Sequence, residues 1–154
     1  MPFLRDATKH ARQSLCLRSK CGAIIVSNGT VIGAGYNAPP LGDITARRCT
    51  EEDYEHTKKP RSDKTCCIHA EWRAIMRALA HHPRCVKNAT LYFMRIDDAG
   101  RPVRSGEPYC TVCSRLALDV GIASFVLWRS EGICVYDTHE YNERSYAFHK
   151  KPLT

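Results

Sequence analysis

No stretch of this chain approaches the roughly 20 consecutive apolar residues that cross a bilayer, so no membrane-spanning helix is expected. The opening residues Met1-Pro2-Phe3-Leu4-Arg5-Asp6 hold no continuous apolar segment of the kind a secretory signal needs, and the expected location is the cytoplasm. No block of five or more Lys and Arg residues occurs, which leaves no obvious basic arm for nucleic acid. Internal repeats and low-complexity segments are also missing, so solenoid and disordered-linker architectures drop out.

What is present reads as one globular domain over residues 1–154. Hydrophobic residues make up 44% and charged residues 25%, enough for a sizeable core under a solvated surface. The formal net charge of +7 favours an anionic partner such as a nucleotide, a nucleic acid or an acidic surface. A merely well-solvated basic surface is the plainer reading. Nine cysteines cannot all pair internally. In a reducing compartment, close Cys and His sets point to metal ligands rather than disulfides, and the remaining thiols serve as small buried apolar groups.

Patterning gives the element order. Residues 3–16 space Phe3, Leu4, Ala7, Ala11 and Leu15 as a helix. Two β-branched runs, 22–26 and 31–36, flank Asn28-Gly29 and predict a hairpin. Residues 37–65 form a long polar loop with a helical turn near 51–56. A loop that long in a compact domain is functional or held by something else. Residues 68–82 predict a helix with Ile68, Trp72, Ile75, Met76 and Leu79 on one stripe, closed by Pro83. A strand at 90–96, a turn at 97–100, a helix at 110–120 and strands at 124–128 and 133–136 follow, then a last helix from 137 to 149. This order predicts an α/β fold, one mixed sheet of about five strands covered by helices. So few residues separate Trp128 from Ile133 that only an antiparallel hairpin can join the last two strands.

The chemistry is carried by His69-Ala70-Glu71 and Cys110-Thr111-Val112-Cys113. Zinc takes imidazole nitrogen and thiolate sulfur, and a catalytic zinc keeps its fourth position for water. His69, Cys110 and Cys113 supply three such ligands. At a helix start, Cys110 and Cys113 can face one point, and the free N–H groups there favour thiolate. Glu71, two residues after His69, sits beside the metal without being a ligand. It can take a proton from a water whose pKa the metal lowers and deliver protons to a ring nitrogen and a leaving amine. The alternative is a closed structural zinc site or a cluster of buried thiols.

H-x-E followed by C-x-x-C is the signature of zinc deaminases, and here the chain resembles the cytidine deaminase superfamily. The branch it is most similar to is the deoxycytidylate deaminases. The resemblance runs through Cys16-Leu17-Arg18-Ser19-Lys20-Cys21-Gly22-Ala23-Ile24-Ile25-Val26, then Gly35-Tyr36-Asn37-Ala38-Pro39-Pro40-Leu41-Gly42, then His69-Ala70-Glu71-Trp72-Arg73-Ala74-Ile75, then the Cys110 motif. It implies a three-layer α/β/α fold, a catalytic Zn2+ and a small-molecule nucleotide substrate, most simply deoxycytidylate converted to deoxyuridylate. It also implies a homo-oligomer, with Trp72, Trp128 or the long loop near a subunit contact. By the same resemblance Asn37 would bond the sugar or phosphate, unless it is only a turn residue. Ala70 would offer backbone groups to the base, and Ile24 or Val26 would line the base pocket. Arg18 is either a phosphate contact or a solvated charge. A structural second zinc is a further implication, with Cys16, Cys49, His56, Cys66 and Cys67 as candidates.

Three departures stand out. The Pro usually found directly before the first cysteine is displaced in Glu107-Pro108-Tyr109-Cys110, and Tyr109 could wall the pocket, stack on the base or pack in the core. Arg73 replaces the usual Asn. The short link between the last two strands leaves no room for the helix that this branch normally places there. His81, His82, His139 and His149 read as surface residues. Two alternatives stay open: deamination of a base in RNA or single-stranded DNA, or of another small aminated heterocycle, and a non-catalytic zinc module. Against nucleic acid stands the lack of a basic–aromatic stripe.

Overall fold

The computed structural model describes residues 1–52, 54 and 66–148. Helix α1 (Pro2–Ala11) leads into a hairpin of β1 (Lys20–Ser27) and β2 (Thr30–Tyr36). After the long loop come α2 (Ala70–His81), β3 (Thr90–Ile96), β4 (Pro102–Val103) and α3 (Thr111–Asp119). The chain continues as β5 (Ser124–Arg129), β6 (Gly132–Asp137) and α4 (Thr138–Phe148). The first helix stops earlier than its apolar spacing suggests. Ser14 Oγ donates to the Asn37 carbonyl and side chain, and the Leu15 N–H donates to the same carbonyl, so tertiary bonds pull this segment off the helix.

The sheet runs β2-β1-β3-β5-β6, with β4 paired on β3. It is mixed: β1 is antiparallel to β2 and β3, β3 is parallel to β5, and β5 is antiparallel to β6. The parallel pair needs a crossover, and α3 provides it. The β5–β6 hairpin is antiparallel, as the short link requires. Asn28 and Gly29 both take positive φ, 48° and 76°, in the two-residue turn between β1 and β2. Strand β4 has no periodic signal because it is two residues folded back on Arg95 and Ile96.

Helices cover both faces, giving three layers. On one face α1 sets Leu4 and Ala7 against Ile24, Val26, Met94 and Val126. On the other, α2, α3 and α4 enclose the larger core with Ala23, Ile25, Leu91, Phe125 and Leu127. Strand β1 is covered on both faces, which is why it reads as an unbroken apolar run. No helix among the described residues is long and apolar enough to cross a membrane.

Helix α2 turns a different face to the sheet from the one its largest apolar residues mark. Ala70, Glu71, Ala74, Ile75 and Ala78 are buried, whereas Met76 and Leu79 are exposed. The reason lies in β2. A Cβ on Gly33 would collide with the Ala74 carbonyl, and one on Gly35 with the Ala70 carbonyl. Two glycines facing a row of alanines let the helix backbone lie directly on the strand, and that fixes where residues 69–71 sit.

Candidate metal centre and nucleotide cavity

His69 is the N-cap of α2, and Glu71 lies in its first turn. Cys110 is the N-cap of α3, and its Sγ accepts the Cys113 N–H at 3.4 Å. Two helix N-termini therefore meet at one point. The segment before His69 is fixed by a bridge in which the Ile68 and Ala38 N–H groups donate to each other's carbonyls at 2.8 and 3.3 Å. Arg73, the departure noted in the sequence, donates from one terminal nitrogen to the carbonyls of Ala38 and Pro39 at 3.2 and 2.7 Å. It ties the loop after β2 to the helix that bears Glu71.

The donor atoms of His69, Cys110 and Cys113 all lie within 4.8 Å of one another, the single group of this kind among the described residues. His69 Nδ1 is 3.2 Å from Cys113 Sγ and 3.5 Å from Cys110 Sγ, and the two sulfurs are 3.2 Å apart. Three convergent N and S donors fit a zinc ion with one coordination position left open. The thiol–thiol hydrogen bond with Cys113 and the His69 ring pull Cys110 down to about 4 despite its burial. The same bond and deep burial push Cys113 up. Burial would lower the His69 imidazole, but its bond to Cys110 and the nearby Glu71 charge raise it to about 9. Glu71 is 6% exposed, and burial raises its carboxyl above the usual range. It lies outside the convergent donor set.

Two adjoining cavities open from this centre. One, of about 270 Å3, reaches past His69, Ala70 and Glu71 towards Arg18, Asn37 and the thiols of Cys16 and Cys67. The other, of about 340 Å3, leads from Glu71 along Phe93 towards Arg95, Ser105 and Gly106. Glu71, Phe93, Cys21, Tyr109 and Cys110 line both. Tyr109 is 54% exposed and its ring lies 5.9 Å from that of Phe148, so it walls the mouth instead of packing in the core.

Ile24 and Val26 require a correction. Both point to the α1 face and line neither cavity. Side chains alternate along a strand, so the residues of β1 that face the helices of the metal centre are Cys21, Ala23 and Ile25. Asn37 lines the first cavity, and its amide oxygen and one amide N–H are engaged within the protein. Its oxygen accepts from Ser14 Oγ at 2.7 Å and the Cys21 N–H at 2.8 Å, and its nitrogen donates to the Ser19 carbonyl at 2.6 Å. It thereby braces the segment that carries Arg18.

The candidates for a second metal do not converge among the described residues. Cys16 bonds to Cys67, Cys67 to Cys66 and Cys66 to Cys49, yet no three of these donors lie within 4.8 Å of one another. His56 lies outside the described residues, as does His149. Sequence reasoning passed over Phe93, Cys21, Arg95 and Ser105 as cavity residues. Alternation from Leu91 puts Phe93 and Arg95 on one face, but only the sheet order shows that this face holds the metal donors.

A three-layer α/β/α fold with a His–Cys–Cys centre beside a buried glutamate defines a zinc-dependent deaminase. The family model described as "Cytidine and deoxycytidylate deaminase zinc-binding region" matches residues 2–128, and the chain belongs to this family. A deoxycytidylate deaminase of Mycobacterium phage D29 is 32% identical over 135 residues, 80% of this chain and 89% of the phage protein. That of Saccharomyces cerevisiae is 28% identical over 161 residues, and the match takes in 97% of this chain but only 45% of the yeast protein. Among solved structures, the dCMP deaminase of cyanophage S-TIM5 in complex with dCMP and dUMP aligns at a TM-score of 0.58 and 23% identity, over 80% of this chain and 76% of that one. The cytidine deaminase of Burkholderia pseudomallei aligns at 0.58 and 17%, over 91% and 93%.

Proposed function

We propose that this chain, acting as one domain in the cytoplasm, hydrolyses deoxycytidylate to deoxyuridylate and ammonia. The observation that carries the reading is the convergence of His69, Cys110 and Cys113 beside buried Glu71, at the junction of two cavities lined by arginines. His69, Cys110 and Cys113 would hold the zinc, which would supply acidification of an attacking water. Glu71 takes the proton as that water adds to C4 of the base. It passes that proton to N3, then takes the proton of the new C4 hydroxyl and gives it to the exocyclic amine, which leaves as ammonia as C4=O forms and the C4–N bond breaks. A raised carboxyl pKa suits a group that must both accept and donate. Tyr109 and Phe93 flank the base, and Ala70 offers it backbone groups. The nine free thiols fit a reducing compartment.

An ammonia-release screen over cytosine, cytidine, deoxycytidine, their monophosphates, guanine, adenosine and single-stranded DNA tests this at two salt concentrations. Deoxycytidylate should exceed deoxycytidine in kcat/KM by roughly ten- to hundredfold, the worth of one charged hydrogen bond to phosphate. Equal rates on nucleoside and nucleotide would overturn the reading. Activity confined to the oligonucleotide and collapsing with salt would point to a polynucleotide substrate.

We further propose self-association through the outer face of β5 and β6. Ile133 and Val135, 45% and 62% exposed, stand across the ladder from half-buried Trp128 and from Val126. Helix α1 covers Val126 and stops there, leaving Ile133 and Val135 of β6 exposed. Such a contiguous apolar strip marks a contact surface. Sedimentation of the protein at micromolar concentration should give a mass above that of the 17.4 kDa chain, and Val135→Lys should shift it towards monomer. A monomer at that concentration removes the proposal.

A further inference from the structure

Strand β3 and the segment between β4 and α3 each contribute a polar group that the deamination step does not use. Arg95 is the sixth residue of β3 and shares its face with Leu91 and Phe93, the face of the metal donors. Its Nε is buried without a hydrogen-bond partner among the described residues. Ser105 is 7% exposed, and its hydroxyl is likewise buried without a partner, although its own N–H is held by the Trp128 carbonyl at 2.7 Å. Both line the cavity that runs from Glu71 along Phe93.

Among the described residues, no neighbouring carboxylate neutralises Arg95. Glu107 gives both oxygens to Arg129, at 3.1 and 2.6 Å. Asp97 is bound to Arg101 at 2.8 Å, and Asp98 lies 3.5 Å from Lys20. Glu71 faces the metal donors at the other end. Cys21, opposite Arg95 across the ladder, is kept a neutral thiol by burial, which pushes it up to about 12. Beside these groups Gly106 leaves open space, since a Cβ there would meet nothing within 4 Å. A half-buried guanidinium with no carboxylate of its own, a hydroxyl donor and room between them suit an anion, and the planar fork of arginine matches phosphate oxygens.

We infer that Arg95 and Ser105 form the subsite for the 5′-phosphate of the nucleotide, so that the sugar-phosphate runs from the metal centre along Phe93. The inference rests on the deoxycytidylate reading above and deepens it. Arg18 and Lys20 share the shallower hollow on the outer side of Arg95, where they attract the phosphate without seating it.

The test is the ratio of kcat/KM for deoxycytidylate to that for deoxycytidine, because a ratio cancels the concentration of active enzyme. Arg95→Gln should lower it roughly ten- to hundredfold. Arg95→Lys should restore part of it, and Ser105→Ala should lower it by a smaller factor. Arg18→Gln should leave most of it in place. If Arg95→Gln does not yield folded protein, Arg95→Lys and Ser105→Ala are each read against wild type in the same way. An unchanged ratio in the Arg95 and Ser105 variants overturns the subsite, as does a ratio lost in Arg18→Gln and kept in Arg95→Gln. A wild-type protein that shows no preference for deoxycytidylate overturns the substrate reading and the subsite together. A wild-type preference that survives in the Arg95 variants overturns the subsite alone.

Discussion

Glu71→Gln is expected to lower kcat by roughly 10²- to 10⁴-fold, the usual worth of a positioned acid–base group, while the zinc content per chain stays at the wild-type level. The two readouts part because of geometry. Glu71 sits in the first turn of α2, one residue past Ala70, whose carbonyl lies against Gly35 of β2. Its carboxyl is outside the set of converging donors. Glutamine fills the same volume, so packing is conserved, but it cannot take a proton from water or return one to the amine. Metal analysis alongside initial rates decides the matter. Zinc lost together with activity would make Glu71 a ligand, and a variant within a few-fold of wild type would remove its assigned role.

Replacing Cys110 or Cys113 by alanine should abolish both zinc binding and turnover. Each variant removes one of three convergent donors, and the two that remain cannot fix a tetrahedral ion. Cys110→Ala also deletes the side chain that caps α3 through the Cys113 N–H, which adds about 1 kcal/mol of instability by analogy with other helix caps. Chelator-treated wild-type protein should regain activity when zinc is returned, whereas neither cysteine variant should. Cys85→Ala is the control, because that thiol is exposed and lines neither cavity. A Cys110 or Cys113 variant that kept a tightly held zinc and normal rates would show the ligand set to be wrong.

Local chemistry made the metal centre legible. The spacing of Cys110 to Cys113 is a one-turn relation, which a helix start converts directly into shared direction, and Glu71 follows His69 closely enough to stay beside it at the start of α2. The Asn28-Gly29 turn is equally local, since two successive positive φ angles select those residues. The short link at Ser130 and Glu131 likewise compels an antiparallel pair. The α2 stripe misled for the opposite reason. Size and hydrophobicity marked Met76 and Leu79, but Gly33 and Gly35 admit the backbone so closely that alanines form the buried face.

The sequence by itself therefore determined the fold class, the order of the helices and of every strand but β4, and the identity of the three zinc ligands with Glu71 close after the first, whereas the meeting of His69 with the two cysteines across 41 and 44 residues is a tertiary contact. The tertiary structure alone decided which face of β1 meets the metal centre, turning Ile24 and Val26 away and Cys21 inward. It also decided that Asn37 spends its amide on Ser14, Ser19 and Cys21, and that Arg95 and Ser105 share a cavity with Glu71. Alternation along a strand fixes which residues share a face, but which face lies under the helices is set by strand order and crossover, and those depend on contacts between residues far apart in the chain.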